Sequence, residues 1–352
     1  MAPHPRQENI RAGPPVSPGK DRFKRPYPLR RDAPTIPFRS SEPRFVELSN
    51  FHMDTLVTAD ESSFPSVEHG YQSRIMGLAR ENLKAYNFSR PYLSPGQVKA
   101  AASQTKRGEW SPEYALKMAH LRPYVMKPLL QAKFNIPHLA QVLDNTGEAQ
   151  LLEASPNDLF WGCGASSKEV RQGKIPANFN NALGTLLEEV RSERRTGIPE
   201  GPSTLVVGDD NIAWLRQFSD ASGRQGILTL PDATGEDIKR LAAYCVTPSV
   251  EKLIVQFGRG TSYRGNGPNK KAVKRSYKQV GERIGHLLGC LRAQSGPRVQ
   301  VDFGPVGFAG VEERDLDYLK NLNGYLAEQS REGVFHPSKY TVEHLSGLNL
   351  EG

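Results

Sequence analysis

The chain has 352 residues, 37% hydrophobic and 24% charged, a composition that excludes a disordered polymer and leaves room for two domains with separate cores. No apolar run reaches the ~18–20 residues of a membrane-crossing helix. The N-terminus lacks the apolar core of a secretion signal, so the expected location is inside the cell, in the cytoplasm or the nucleus.

Three cysteines, Cys163, Cys245 and Cys290, are too few and too scattered for a disulfide framework or a zinc site. They read as reduced thiols, and no metal or other cofactor is expected. The net charge of +8 is uneven, because residues 1–44 alone carry +6. Residues 1–43 are rich in proline and poor in large apolar side chains, so they are expected to be a disordered basic tail. Such a tail attracts phosphate polymers through counterion release. It therefore admits nucleic acid as a partner, although a tail that only keeps the chain soluble has the same composition.

Order is expected from Arg44, and a first domain spans 44–195. Ser66 precedes Val67-Glu68-His69 as a helix cap would. In that helix Gln72 lies one turn after Glu68 and shares its face, whereas His69 does not. Apolar residues at helical spacing predict a helix over Glu113–Phe134 and another over Leu183–Val190. The polar run Thr196-Gly197-Ile198-Pro199-Glu200-Gly201-Pro202-Ser203 predicts a linker over 196–203.

From 204 to 348 the pattern alternates. Strands are expected at Thr204–Val207, Ile227–Leu230, Lys252–Phe257 and Arg298–Phe303. Helices are expected through Trp214, through Leu241, over Lys270–Arg292 and over Glu312–Glu328. This alternation predicts an α/β, flavodoxin-like domain with a mostly parallel sheet.

Three blocks in the first half carry a family resemblance. They are Leu48-Ser49-Asn50-Phe51 with Phe64–Gln72 (FPSVEHGYQ), then Tyr124–Phe134 (YVMKPLLQAKF), then Leu151–Gly164 with Asn181–Arg191 (NALGTLLEEVR). Together, in this order, they resemble the NADAR family of N-glycosidases, and the resemblance implies a mainly α fold. It also implies that Glu68 and Asp158 are the catalytic carboxylates, with Ser49, Asn50, Phe51, Gln72, Trp161, Gly162 and Asn181 around the substrate. The residue types suit that chemistry. Breaking a ribosyl–nitrogen bond builds positive charge on the sugar and requires a proton for the leaving base. Each residue also has a plainer role: Glu68 against a helix dipole, Asp158 in a turn, Trp161 in a core, and Asn181 as a helix cap.

Two positions depart from the family pattern. Its tryptophan and lysine, eight and four residues before Met126, are here Met118 and Arg122. An arginine keeps the charge but cannot form an imine. Trp110, Lys106 and Lys117 are candidates to take those places.

In the second half, Leu205-Val206-Val207-Gly208-Asp209-Asp210-Asn211 resembles the first block of the SGNH (GDSL-like) hydrolases. The nucleophilic serine of that block is here Asp210, and the oxyanion-hole asparagine falls at Gly260. His336 stands in the last block without its aspartate. This half is therefore expected to be a non-catalytic, SGNH-like domain. The basic, glycine-rich stretch 259–275 is a second candidate contact for nucleic acid.

The leading expectation is a hydrolase of N-glycosidic bonds to ribose, acting on a ribosylamino-pyrimidine phosphate or an ADP-ribosylated guanine. The alternatives are an inactive protein that binds ADP-ribose or a nucleotide, and a nucleic-acid-associated protein of a mobile element that uses its basic tail. A lysine amine beside Glu68 and Asp158 favours the enzyme. A pocket walled off by Met118 favours binding.

Overall fold

The computed structural model describes residues 27–30, 32–53, 56–59, 62–79, 92–209, 212, 224–231, 233–256, 263–264, 273–274, 276–304 and 313–331. The first half opens with β1 (Thr35–Phe38), a 3-10 turn at Val46–Leu48, and the hairpin β2 (Val57–Ala59) and β3 (Ser62–Phe64). Helices follow: α1 (Val67–Leu78), α2 (Pro95–Glu109), α3 (Pro112–Ala119), α4 (Arg122–Phe134) and α5 (Pro137–Asp144). Then come β4 (Gln150–Glu153), α6 (Ser167–Arg171) and α7 (Ala182–Thr196).

Order starts earlier than the expected Arg44. Thr35–Phe38 pairs in parallel with Gln150–Glu153, and Phe38 is fully buried. Ladder bonds and one aromatic anchor outweigh the low apolar content of that segment. Upstream, the Tyr27 hydroxyl donates to Glu188 Oε1 at 2.6 Å.

The helix expected over Glu113–Phe134 is two helices, interrupted at His120-Leu121. Pro123 explains the break, since its ring lacks an N–H and would clash with the carbonyl four residues back. The starts follow local chemistry as well. Ser94 and Gln97 form a capping box on α2, and Ser111 caps α3. At the centre lies α4, with Val125, Met126, Leu129, Leu130 and Phe134 at most 1% exposed.

The second half contains β5 (Thr204–Asp209), β6 (Gln225–Leu230), α8 (Gly235–Cys245) and β7 (Lys252–Gln256). A two-residue hairpin follows, β8 (Tyr263–Arg264) with β9 (Val273–Lys274), then α9 (Tyr277–Ser295), β10 (Gln300–Phe303) and α10 (Glu313–Arg331). The four longer strands are all parallel in the order β6-β5-β7-β10. This is the mixed helix and parallel-strand architecture that the alternating pattern predicts. Asp210, Gly260, His336 and the helix expected through Trp214 lie outside the described residues, as does most of 259–275.

One apolar interior runs through both halves, from Phe38 to Leu326. The segment expected as a linker is fastened to the first half. Lys127 Nζ lies 2.8 Å from Glu189 and 2.9 Å from Glu193, and it donates to the Glu200 carbonyl at 2.6 Å. Among the described residues no helix is long and apolar enough to cross a membrane.

Candidate active site

Glu68 is the second residue of α1, and the carbonyl of Asn50 accepts its N–H at 2.9 Å. Its side chain is buried, and each of its oxygens accepts one amide donor. Asn50 Nδ2 stands at 2.5 Å from Oε2, and Gln72 Nε2 at 2.7 Å from Oε1. The one-turn spacing of Glu68 and Gln72 thus places both on one face, as the helical period requires. Burial raises the Glu68 pKa, opposed by the Gln72 bond and by the charges of Lys99 and Lys106, while Asp158 pushes it further up.

The loop that presents Asn50 is held from below. Lys133 of α4, 1% exposed, donates to the Glu47 carbonyl at 2.5 Å and to the Ser49 carbonyl at 2.7 Å. Ser49 Oγ accepts the Phe51 N–H at 3.2 Å, which closes the turn.

Helix α2 brings two cations. Lys106 Nζ donates to Gln72 Oε1 at 3.0 Å and lies 5.6 Å from the centre of the Trp110 ring. Burial, with the neighbouring Arg122 charge, lowers its pKa to about 8. Lys99 Nζ stands 5.7 Å from the Phe51 ring centre. Lys117 is turned elsewhere, pairing with Glu113 at 3.3 Å near the surface. Met118 is a core residue, 2% exposed, and the Arg122 guanidinium lies 5.5 Å over the Phe160 ring.

The loop after β4 brings the second carboxylate, whose charge reaches Glu68. Asp158 Oδ1 accepts the N–H groups of Phe160 at 3.1 Å and Trp161 at 2.8 Å, the turn geometry its position predicts. Trp161 is half-buried and meets Tyr71 edge-on at 5.5 Å and Phe160 at 4.9 Å. Gly162 is required by close approach, because a Cβ there would stand 2.8 Å from the Glu153 carbonyl.

Asn181 has a different place from the one expected. It is fully buried at φ 46° and makes no side-chain cap on α7. Its Nδ2 donates to the Leu151 carbonyl at 2.8 Å, and its Oδ1 accepts the Glu153 N–H at 3.1 Å. A side chain spent on two backbone groups of one strand edge, opposite the edge that pairs with β1, supports the loop from behind rather than facing a ligand. Gly184 allows this, since a Cβ there would come within 1.9 Å of the Leu151 oxygen.

Glu68 is thus bonded to Asn50 and Gln72, and the charges of Asp158, Lys99 and Lys106 reach it, with Phe51 beside Lys99, Trp161 against Tyr71, and Ser49, Gly162 and Asn181 bracing the backbone around them. His69 faces away, its Nδ1 at 2.7 Å from Ser66 Oγ and its Nε2 at 3.0 Å from the Leu93 carbonyl. The sequence reading missed Lys99 and Glu153. Lys99 and Lys106 are seven residues apart, two helical turns, and that shared face was the available signal. A separate cavity of about 340 Å³, lined by Ser62, Arg74 and Tyr244 among others, holds none of these residues. Among the described residues no cluster of His, Cys and carboxylates could hold a metal ion.

Residues 37–195 match the model of the NADAR domain family, so the N-terminal region carries a NADAR domain. The chloroplastic riboflavin biosynthesis protein PYRR of Zea mays is 31% identical over 163 residues, 44% of this chain and 24% of that protein. The chain therefore spans about a quarter of that relative's length. N-glycosidase YbiA of Shigella flexneri is 27% identical over 159 residues, 45% of this chain and 87% of that protein. The NMR structure of the E. coli protein YbiA aligns with 23% identity and a TM-score of 0.36, covering 52% of this chain and 94% of that one.

Proposed function

We propose that the protein hydrolyses N-glycosidic bonds to ribose in nucleotide-like substrates, with a ribosylamino-pyrimidine phosphate and ADP-ribosylated guanine as the two substrate classes. The observation that carries this reading is the chain of contacts Asn50–Glu68–Gln72–Lys106, which sets a lysine amine beside the buried carboxylate. The names of the two relatives agree with it. Met118 sits in the core, and an amine stands in hydrogen-bond reach of Gln72, which weighs against a site kept for binding alone.

In this reading Glu68 faces the positive charge that develops on the ribose carbon. Asp158 receives the proton of the attacking water through Oδ2, which takes no hydrogen bond from the described residues. Trp161, Phe51 and Tyr71 supply surfaces for the base, and Lys99, Lys106 and Arg122 supply charge for a phosphate. Attack by water, or first by the neutral Lys106 amine and then by water, has one balance. The carbon–nitrogen bond breaks, its electron pair stays with the base nitrogen, that nitrogen gains a proton, and the ribose keeps the water oxygen.

For the second half we propose an α/β domain from Thr204 onward that resembles SGNH hydrolases in outline but performs no ester chemistry. The test of the whole reading is release of free base from ADP-ribosyl-guanosine and from a ribosylamino-pyrimidine phosphate, wild type against Glu68→Gln. Release that the variant abolishes supports an N-glycosidase. Nucleotide binding without release by the wild type would turn the reading to a binding protein, with Arg122 in the lysine position as its cause.

A further inference from the structure

We propose that Glu153 is the acid of the site and donates the proton that the departing base takes up. The inference rests on the N-glycosidase reading and adds a third carboxyl to it. Glu153 ends β4, and its backbone is fixed on both sides. Its N–H goes to Asn181 Oδ1 at 3.1 Å, and its carbonyl accepts the N–H groups of Ser155 and Cys163, each at 2.9 Å. The loop carrying Asp158 and Trp161 folds back over this point, so Glu153 and Asp158 lie close enough for their charges to interact. The charged groups facing Glu153 are Asp158, Lys99, Glu68 and Arg39.

The two glutamates of the site are built in opposite ways. Both oxygens of Glu68 accept amide donors, the arrangement that suits a carboxylate. Glu153 Oε2 is enclosed and has no hydrogen-bond partner among the described residues. A glutamate kept only to hold a strand end would be paired, because an enclosed polar oxygen without a partner is costly. With one oxygen enclosed and no donor on either among the described residues, the carboxyl favours its protonated form, and burial, reinforced by the Asp158 charge, raises its pKa to about 8. At neutral pH Glu153 is then an O–H donor.

The step balances with these groups. As the ribose carbon–nitrogen bond breaks, its electron pair moves to the base nitrogen, which takes the Glu153 proton and leaves Glu153 as a carboxylate. Water bonds to the ribose carbon and gives one proton to Asp158. That proton returns to Glu153 or to solvent, and the site is restored.

The test compares leaving groups. The base of a ribosylamino-pyrimidine phosphate needs a proton to depart, whereas the pyridinium ring of nicotinamide mononucleotide departs neutral without one. Glu153→Gln keeps the size and removes the acid. It is expected to lower kcat on the first substrate by about 10²–10³-fold with KM little changed, and to leave any cleavage of the second near the wild-type rate. Glu153→Asp, which keeps an acid, is expected to retain far more activity on the first substrate than Glu153→Gln does. Equal loss on both substrates, or equal loss in both variants, would make Glu153 structural and overturn the proposal. A fully active Glu153→Gln would overturn it alone. A wild type inactive on both would overturn it together with the N-glycosidase reading.

Discussion

Lys106 Nζ stands 3.0 Å from Gln72 Oε1, and the same Gln72 holds Glu68 through Nε2 at 2.7 Å. One amide thus links an amine from α2 to a carboxylate on α1. The position where the family resemblance places a lysine is Arg122, whose guanidinium is over Phe160. The charge stays at that position, and the titratable amine comes from another helix.

Replacement of Lys106 by arginine separates these two properties. Lys106→Arg keeps charge and reach but has no proton to lose near neutrality. Base release is expected to fall by about 10²-fold or more, as for loss of a nucleophile or proton carrier. The wild-type amine, with its pKa brought to about 8, becomes more neutral as pH rises through that value. A rising limb of rate near pH 8 in the wild type should therefore be missing from the variant. Full activity in Lys106→Arg would reduce Lys106 to a source of charge.

How much of this was legible in the sequence differs residue by residue. Glu68 with Gln72 follows from helical spacing alone. The order Pro156-Asn157-Asp158 predicts a turn, and Asp158 accepts from Phe160 and Trp161 as such a turn requires. The parallel sheet follows from alternating strands and helices. Glu153 was not legible, because an apolar strand ending in a glutamate reads as a strand reaching solvent. The role of Asn181 was hidden for a related reason. Its left-handed backbone and its bonds to Leu151 and Glu153 depend on α7 lying against β4, a tertiary contact that local pattern does not encode.

Lys133 offers a test of the scaffold. Its amine joins α4 to the carbonyls of Glu47 and Ser49, the turn that aims Asn50 at Glu68. Burial lowers its pKa to about 7, below the ~10.4 of a free lysine. Between those values the unfolded chain binds more protons than the folded one, so the Lys133 contribution to stability rises with pH across that window. Lys133→Met removes this slope and leaves two carbonyls unsatisfied. Urea unfolding at pH 7 and pH 9 should show the wild type gaining on the variant by about 1–3 kcal/mol. Base release should fall in the variant as Asn50 loses its aim. An identical pH response in both proteins would remove Lys133 from this role.

Helix α8 of the second half reaches the helix that carries the site. Arg240 of α8 donates through Nη1 to the Gly77 carbonyl at 2.9 Å, in the last turn of α1. A cation at a helix C-terminus satisfies a carbonyl without a partner inside the helix and answers the helix dipole. Nearby, the Thr229 N–H of β6 donates to His120 Nε2 at 3.1 Å, and the apolar interior is continuous across both contacts. The two halves should therefore unfold together, in one transition seen alike by far- and near-ultraviolet circular dichroism. Arg240→Ala should lower stability by about 0.5–1.5 kcal/mol and reduce base release, although Arg240 bonds α1 at its far end from Glu68. Two separate transitions, with the site unaffected by Arg240→Ala, would mean that the second half is a passenger. A single transition with reduced release would make it a support for α1, and would give a physical reason for joining an α/β domain to a glycosidase one.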